Sequence, residues 1–192
     1  MEALFISAGV VALAEIGDKT QLLAFILAAR FKRPIPVIAG ILCATIVNHG
    51  LAGALGVWIM TTVSPDFLRW ALGASFIGMA IWTLIPDKIE EEETRVVGRF
   101  GVFGATLITF FLAEMGDKTQ IATVALAAHY PNAWQVVIGT TLGMLLADVP
   151  AVFIGDKLAL KIPMKLVHSI AAGIFLILGV ATLSGAGTKL GF

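Results

Sequence analysis

Cysteine is nearly missing from this chain: Cys43 stands alone between Leu42 and Ala44, which excludes an internal disulfide and reads as a small packing residue. Charge is scarce too. Charged residues make up 14% of the sequence, and 13 basic and 13 acidic side chains cancel, so nothing favours nucleic acid or another strongly charged partner. The N-terminus carries Glu2 instead of a basic segment, and the first apolar run continues into a charged motif, so no cleavable signal is expected. What the chain has in quantity is apolar surface. Over 192 residues, 58% are hydrophobic and the mean hydropathy is +0.95. A soluble domain of this length could not cover that much apolar surface, which leaves the lipid bilayer as the solvent.

Six apolar segments are each long enough to cross a bilayer: Ala3 to Ala29, Pro36 to Val63, Leu68 to Ile85, Gly101 to Ala128, Trp134 to Ile154, and Leu166 to Ser184. Turn and charge signals lie between them. The chain also repeats itself at an offset of 99 positions. Leu27-Ala28-Ala29 matches Leu126-Ala127-Ala128, Gly40 matches Gly139, Gly56 matches Gly155, Phe76 matches Phe175, and Thr83-Leu84 matches Thr182-Leu183. Residues 1–86 form a first three-helix repeat, 87–99 an acidic linker and 100–192 a second three-helix repeat.

Basic residues set the expected orientation. The first, third and fifth loops hold Arg30, Lys32 and Arg33, then Lys88, Arg95 and Arg99, then Lys157, Lys161 and Lys165, against only Arg69 and Lys189 on the other side. The odd loops are therefore expected in the cytoplasm and both termini outside it, in the plasma (inner) membrane of a cell. Three spans per repeat make the second repeat enter the membrane from the opposite side. The fold class is thus an all-α integral membrane protein of six transmembrane helices in two inverted repeats, the architecture of many secondary transporters.

The repeat contains two nearly identical heptapeptides, Glu15-Ile16-Gly17-Asp18-Lys19-Thr20-Gln21 and Glu114-Met115-Gly116-Asp117-Lys118-Thr119-Gln120. Each sets two carboxylates and a lysine at bilayer depth, where charge is costly and marks an ion or proton pathway. On a regular helix Glu15 shares a face with Asp18 and sits at pairing distance from Lys19, and Glu114 does the same with Asp117 and Lys118. Four carboxylates and two ammonium groups, all charged, would leave two negative charges, enough for one divalent ion; alternatively the charge-balancing lysines point to an interface. All candidate ligands are oxygens: the four carboxylates, the Thr20 and Thr119 hydroxyls, and the Gln21 and Gln120 amides. Such a set suits calcium, manganese or magnesium over zinc or copper. For Thr20 to reach the ion, the helix must be distorted near Gly17. Metal binding displaces protons from carboxylates, which makes metal–proton antiport the natural chemistry.

In the second spans the halves differ: Asn48 and His49 align with Ala147 and Asp148. Asp148 reads as an additional metal ligand, a proton carrier, or a helix-pinning acid. His49 reads as a proton relay or a packed histidine. His129 and His168 fall at loops or span ends and read as incidental. The run Glu90-Glu91-Glu92-Glu93 is a solvated linker or, more sharply, a cation funnel. Trp58, Trp70, Trp82 and Trp134 suit an interfacial belt. Gly139 and Gly143 form a GxxxG pattern that brings helices close, within the monomer or in a homo-oligomer that nothing else indicates.

With these two motifs the chain resembles the cation exchanger family defined by two copies of E-x-G-D-[KR]-[TS], which includes bacterial manganese exporters and Golgi manganese/calcium–proton exchangers. The resemblance covers nearly the whole chain. It implies a transporter without a resident cofactor, whose cation site is formed by Glu15, Asp18, Glu114 and Asp117, with Thr20, Gln21, Thr119 and Gln120 beside it. It further implies export of manganese from the bacterial cytosol, with calcium as the other substrate, against protons. Two other classes compete on the residues. An intramembrane aspartyl protease needs Gly-x-Gly-Asp, but Glu15 stands where the first glycine belongs, and Tyr130 precedes Pro131 where a Tyr-Asp partner would be needed. A non-transporting membrane subunit would show no metal-dependent proton flux.

Overall fold

A computed structural model describes residues 1–85, 100–154 and 164–184. The linker 87–99 with its Glu90–Glu93 run lies outside the described residues, as do Gly155, Lys157, Lys161 and Lys189. Among the described residues there are eight helices: α1 (Glu2–Glu15), α2 (Lys19–Phe31), α3 (Pro34–Thr62), α4 (Pro65–Thr83), α5 (Gly101–Glu114), α6 (Lys118–His129), α7 (Ala133–Ile154) and α8 (Met164–Ser184). Eight helices stand where six spans were expected. The first and fourth apolar segments each break in the heptapeptide, so each contributes two helices. The distortion expected near Gly17 is a full interruption, and Gly116 interrupts the second copy in the same way.

Local chemistry accounts for the ends. Pro34 and Pro65 open α3 and α4, where a proline lacks only a donor that the first turn would leave unused. Lys32 closes α2 in the left-handed region at φ 52°, its N–H returning to the Ala28 carbonyl 2.8 Å away. The repeat offset of 99 recurs in the helices: α1 and α5, α2 and α6, α3 and α7 begin 99 positions apart, and so do α4 and α8.

Packing is reciprocal between the halves. Helix α1 lies against α7 and α3 against α5, while α4 lies against α8. A Cβ added at Gly139 would stand 2.4 Å from the Leu4 carbonyl oxygen and 3.0 Å from the Ser7 Cβ. At Gly40 it would stand 2.9 Å from the Phe103 carbonyl oxygen and 2.7 Å from the Thr106 Cβ, the same contacts moved by 99 positions. Gly143 meets the Ala8 carbonyl and Ala12 nitrogen in the same seam, so the GxxxG pattern serves α1 within the monomer.

Polarity is inside out. Phe5, Leu51, Trp58, Ile81, Leu146 and Ile177 are all exposed, whereas Glu15, Asp18, Asn48, His49, Glu114, Asp117, Lys118 and Asp148 are buried. Helices α3 and α7 are long and apolar enough to cross a membrane, with mean hydropathies of 1.8 and 1.9 over their best windows. By contrast α1 and α5, at 14 residues, are about 21 Å long and need their partners beyond the break to cross a core of about 30 Å.

Candidate metal site

Each residue of the heptapeptide has a task in building the interruption. Glu15 is the last residue of α1; Ile16 is extended, Gly17 turns at φ 84°, and Asp18 is the N-cap of α2. The second copy repeats this with Met115, Gly116 at φ 79° and Asp117. The break is stitched by its own side chains. The Gly17 N–H donates to Gln21 Oε1 at 2.9 Å, and the Gly116 N–H to Gln120 Oε1 at 2.8 Å. Thr20 donates its hydroxyl to Glu15 Oε2 at 2.5 Å, and Thr119 donates to Glu114 Oε2 at 3.0 Å. On an unbroken helix neither threonine could face its glutamate.

Left-handed backbone is what selects glycine here. Nothing lies within 4 Å of a Cβ added at Gly116, so space is no obstacle. Gly116→Ala is nonetheless expected to cost about 1–2 kcal/mol from backbone strain alone. Gly116→Asn should cost less, because asparagine tolerates that region. Thermal unfolding of the detergent-solubilised variants measures the difference; equal losses would mean that strain is not the cause.

The amide nitrogens of the same glutamines tie each break to the opposite half. Gln21 Nε2 donates to the Ala147 carbonyl on α7 at 2.9 Å. Gln120 Nε2 donates to Asn48 Oδ1 on α3 at 3.2 Å, and Asn48 Nδ2 donates in turn to the Phe111 carbonyl on α5 at 3.1 Å. Ala147 and Asn48 are the aligned pair, so a side chain serves in one half where backbone serves in the other.

The two breaks converge on one cluster. Glu15, Glu114 and Asp117, all buried, each offer a carboxylate oxygen, and these oxygens lie within 4.8 Å of one another. Oxygens on opposite sides of a calcium-sized ion, each about 2.3–2.6 Å from it, are separated by about 5 Å. The second oxygens, Glu15 Oε1 and Glu114 Oε1, accept no hydrogen bond among the described residues. Neither do both oxygens of Asp148, which lies within electrostatic reach of Glu15, Asp18 and Glu114. Asp18 is engaged differently: its Oδ2 is 2.7 Å from Lys118 Nζ in a buried ion pair.

That pair corrects the helical reading of the lysines. The helical reading sets each lysine beside the glutamate of its own motif, but Gly17 and Gly116 interrupt that helix. Lys118 instead crosses to the acid of the other copy, while Lys19 is half-buried. Among the described residues five acids (Glu15, Asp18, Glu114, Asp117 and Asp148) are buried against one buried lysine, Lys118. Such an excess needs cations, metal or proton, to offset it. His49 is buried and neither ring nitrogen has a hydrogen-bond partner among the described residues. His168, read as incidental, contacts the first break: its Nε2 lies 3.2 Å from the Ile16 carbonyl oxygen. A contact over 152 positions leaves no trace in helical periodicity.

The family described as divalent cation/proton antiporter GDT1 matches residues 3–91 and again 102–189, two stretches that begin 99 positions apart. The chain belongs to this family. It is therefore a membrane protein of a transporter family and not of an enzyme family. It is 54% identical over 184 residues to a Vibrio cholerae protein named "Putative manganese exporter", covering 95% of this chain and 90% of that one. It is 34% identical over 200 residues to GDT1-like protein 3 of Oryza sativa subsp. indica, covering 91% and 71%. GDT1-like protein 3 of Arabidopsis thaliana is 31% identical over 201 residues, covering 91% and 68%. No solved structure matches.

Proposed function

We propose that this GDT1 member exports manganese from the cytoplasm in exchange for protons, through one site shared by the two heptapeptides. The observation that carries the reading is the convergence of Glu15, Glu114 and Asp117 oxygens, from both copies, within 4.8 Å. Those three carboxylates hold the ion. Asp18 joins when Lys118 releases it, and Asp148 is a further ligand or the proton acceptor. Thr20 and Thr119 orient the glutamates through the hydroxyl donation described above, and Gln21 and Gln120 hold the breaks open. His49 relays protons beside the site. Exchange follows because the same carboxylates cannot carry protons and coordinate the metal together.

The membrane arrangement belongs to this proposal: six spans, two of them broken, in inverted repeats 1–86 and 100–192, with the acidic linker 87–99 in the cytoplasm and both termini outside it. Reciprocal packing of α1 on α7 and α3 on α5 supports a two-fold relation between the halves, and the loop lysines and arginines support the orientation. Broken helices suit such a carrier because irregular backbone is tolerated where it lines a cavity.

Proteoliposomes with an imposed pH gradient test the function. Manganese is expected to accumulate on the acidic side with proton movement in the opposite direction, and calcium and magnesium to be moved less well. Oxygen donors alone do not separate manganese from calcium, so calcium moved in preference would replace the substrate and keep the mechanism. No metal-dependent proton flux with any of the three would remove the carrier reading altogether.

A further inference from the structure

The two halves agree at the breaks but differ in what covers them. Helix α8 lies along α1, and α4 along α6; among the described residues α4 has at most a slight contact with α5, and α8 with α2. At the first break, His168 near the start of α8 sits 3.2 Å from the Ile16 carbonyl oxygen. Because a carbonyl only accepts, Nε2–H is the donor. The carbonyl belongs to the C-cap of α1, one of the groups that an ended helix leaves without a helical partner. The aligned residues behave otherwise. Arg69, which aligns with His168, is exposed with its guanidinium carbon 5.9 Å from the Trp70 ring centroid. Met115, which aligns with Ile16, is 55% exposed, whereas Ile16 is half-buried.

We propose that His168 is a positioning residue for transport: by capping the Ile16 carbonyl it latches α8 across the first break and holds one of two pseudo-equivalent arrangements. In the other arrangement α8 leaves α1 and α4 lies along α5. The inference rests on the carrier reading, since only a protein that alternates has use for a latch on one half. It adds a residue outside both heptapeptides, and it makes the asymmetry of the described structure a state of the transport cycle.

The test uses the full chain with Cys43→Ala, so that an introduced thiol is the only one. Ile16→Cys keeps the backbone carbonyl, and Met115→Cys reports the other break. Alkylation by N-ethylmaleimide is timed in detergent without metal, with His168 native or replaced. His168→Ala is expected to speed alkylation at Ile16→Cys about fivefold, the population shift that one hydrogen bond can give, and to leave Met115→Cys within about twofold. His168→Phe keeps ring volume without the donor and should behave as His168→Ala. His168→Gln restores an N–H at similar reach and should return the native rate. Equal rates at Ile16→Cys in native and His168→Phe protein would overturn the latch, as would a His168→Gln variant no slower than His168→Phe.

Transport gives the second readout. In vesicles with one orientation silenced by an impermeant thiol reagent, the ratio of manganese KM values from the two faces should shift about fivefold in His168→Phe and return in His168→Gln. A structural defect would lower kcat from both faces without moving that ratio, and an unmoved ratio sinks the positioning role. If native protein moves none of manganese, calcium and magnesium but the alkylation differences stand, the carrier reading fails and the contact remains.

Discussion

Glu114→Gln is expected to cut proton-driven manganese uptake at least about 100-fold while the protein still inserts and folds. The substitution barely changes volume, and Thr119 can still donate its hydroxyl to the remaining side-chain oxygen at this position. What changes is charge and donor capacity. One of three converging anions is lost, and an NH₂ group, which can only donate, is turned toward Glu15 and Asp117. Groups that merely orient a metal ligand are worth about 10–100-fold in affinity, so removing a ligand should exceed that range. Glu15→Gln should match it, since the two glutamates stand in aligned positions at the ends of α1 and α5. Thr119→Val should fall within the orienting range, because it deletes the donor and keeps the acid. Uptake and metal-induced thermal stabilisation on the same preparations check all three. Native-like manganese stabilisation in Glu114→Gln would place the ion elsewhere, and a Thr119→Val loss equal to that of Glu114→Gln would mean that folding, not ligation, had been disturbed.

Much of this candidate cluster is legible in the sequence, for a physical reason. Ionisable groups at bilayer depth are rare enough that a duplicated Glu-x-Gly-Asp-Lys-Thr-Gln stands out against 58% hydrophobic residues. The interruption was also foreseeable, since Thr20 reaches Glu15 only if the helix is distorted at Gly17. The partners across the halves were not. Helical periodicity reports neighbours up to about one turn away, and it pairs Glu15 with Lys19 on the assumption of an unbroken helix. Once Gly17 and Gly116 turn at positive φ, that face no longer exists. The contacts that replace it, Lys118 with Asp18, Gln120 with Asn48 and His168 with Ile16, join residues 72 to 152 positions apart. Spacing inside one motif carries no information about them. Alignment of the two halves did mark Asn48, because it faces Ala147 across the repeat. It gave no such mark to His168, whose aligned residue, Arg69, is polar as well.

Lys118→Met should be the most destabilising single change in the chain's polar core, by about 3–5 kcal/mol, and Lys19→Met should cost much less. The two lysines occupy the same place in their motifs, yet Lys118 is 1% exposed while Lys19 is half-buried. Removing the ammonium strands a buried carboxylate beside other acids. The loss should appear as a lower unfolding temperature and as poor recovery from the membrane. The double variant Asp18→Asn, Lys118→Met removes both charges and should regain most of the stability, as replaced buried pairs commonly do. Failure to regain it would mean that Lys118 is held by more than the ion pair. The double variant also decides what Asp18 does when metal is present. Restored folding without manganese transport makes Asp18 a ligand that Lys118 guards until the ion arrives. Restored folding with transport makes Asp18 only a counter-ion, and leaves Glu15, Glu114 and Asp117 as the carboxylate cage.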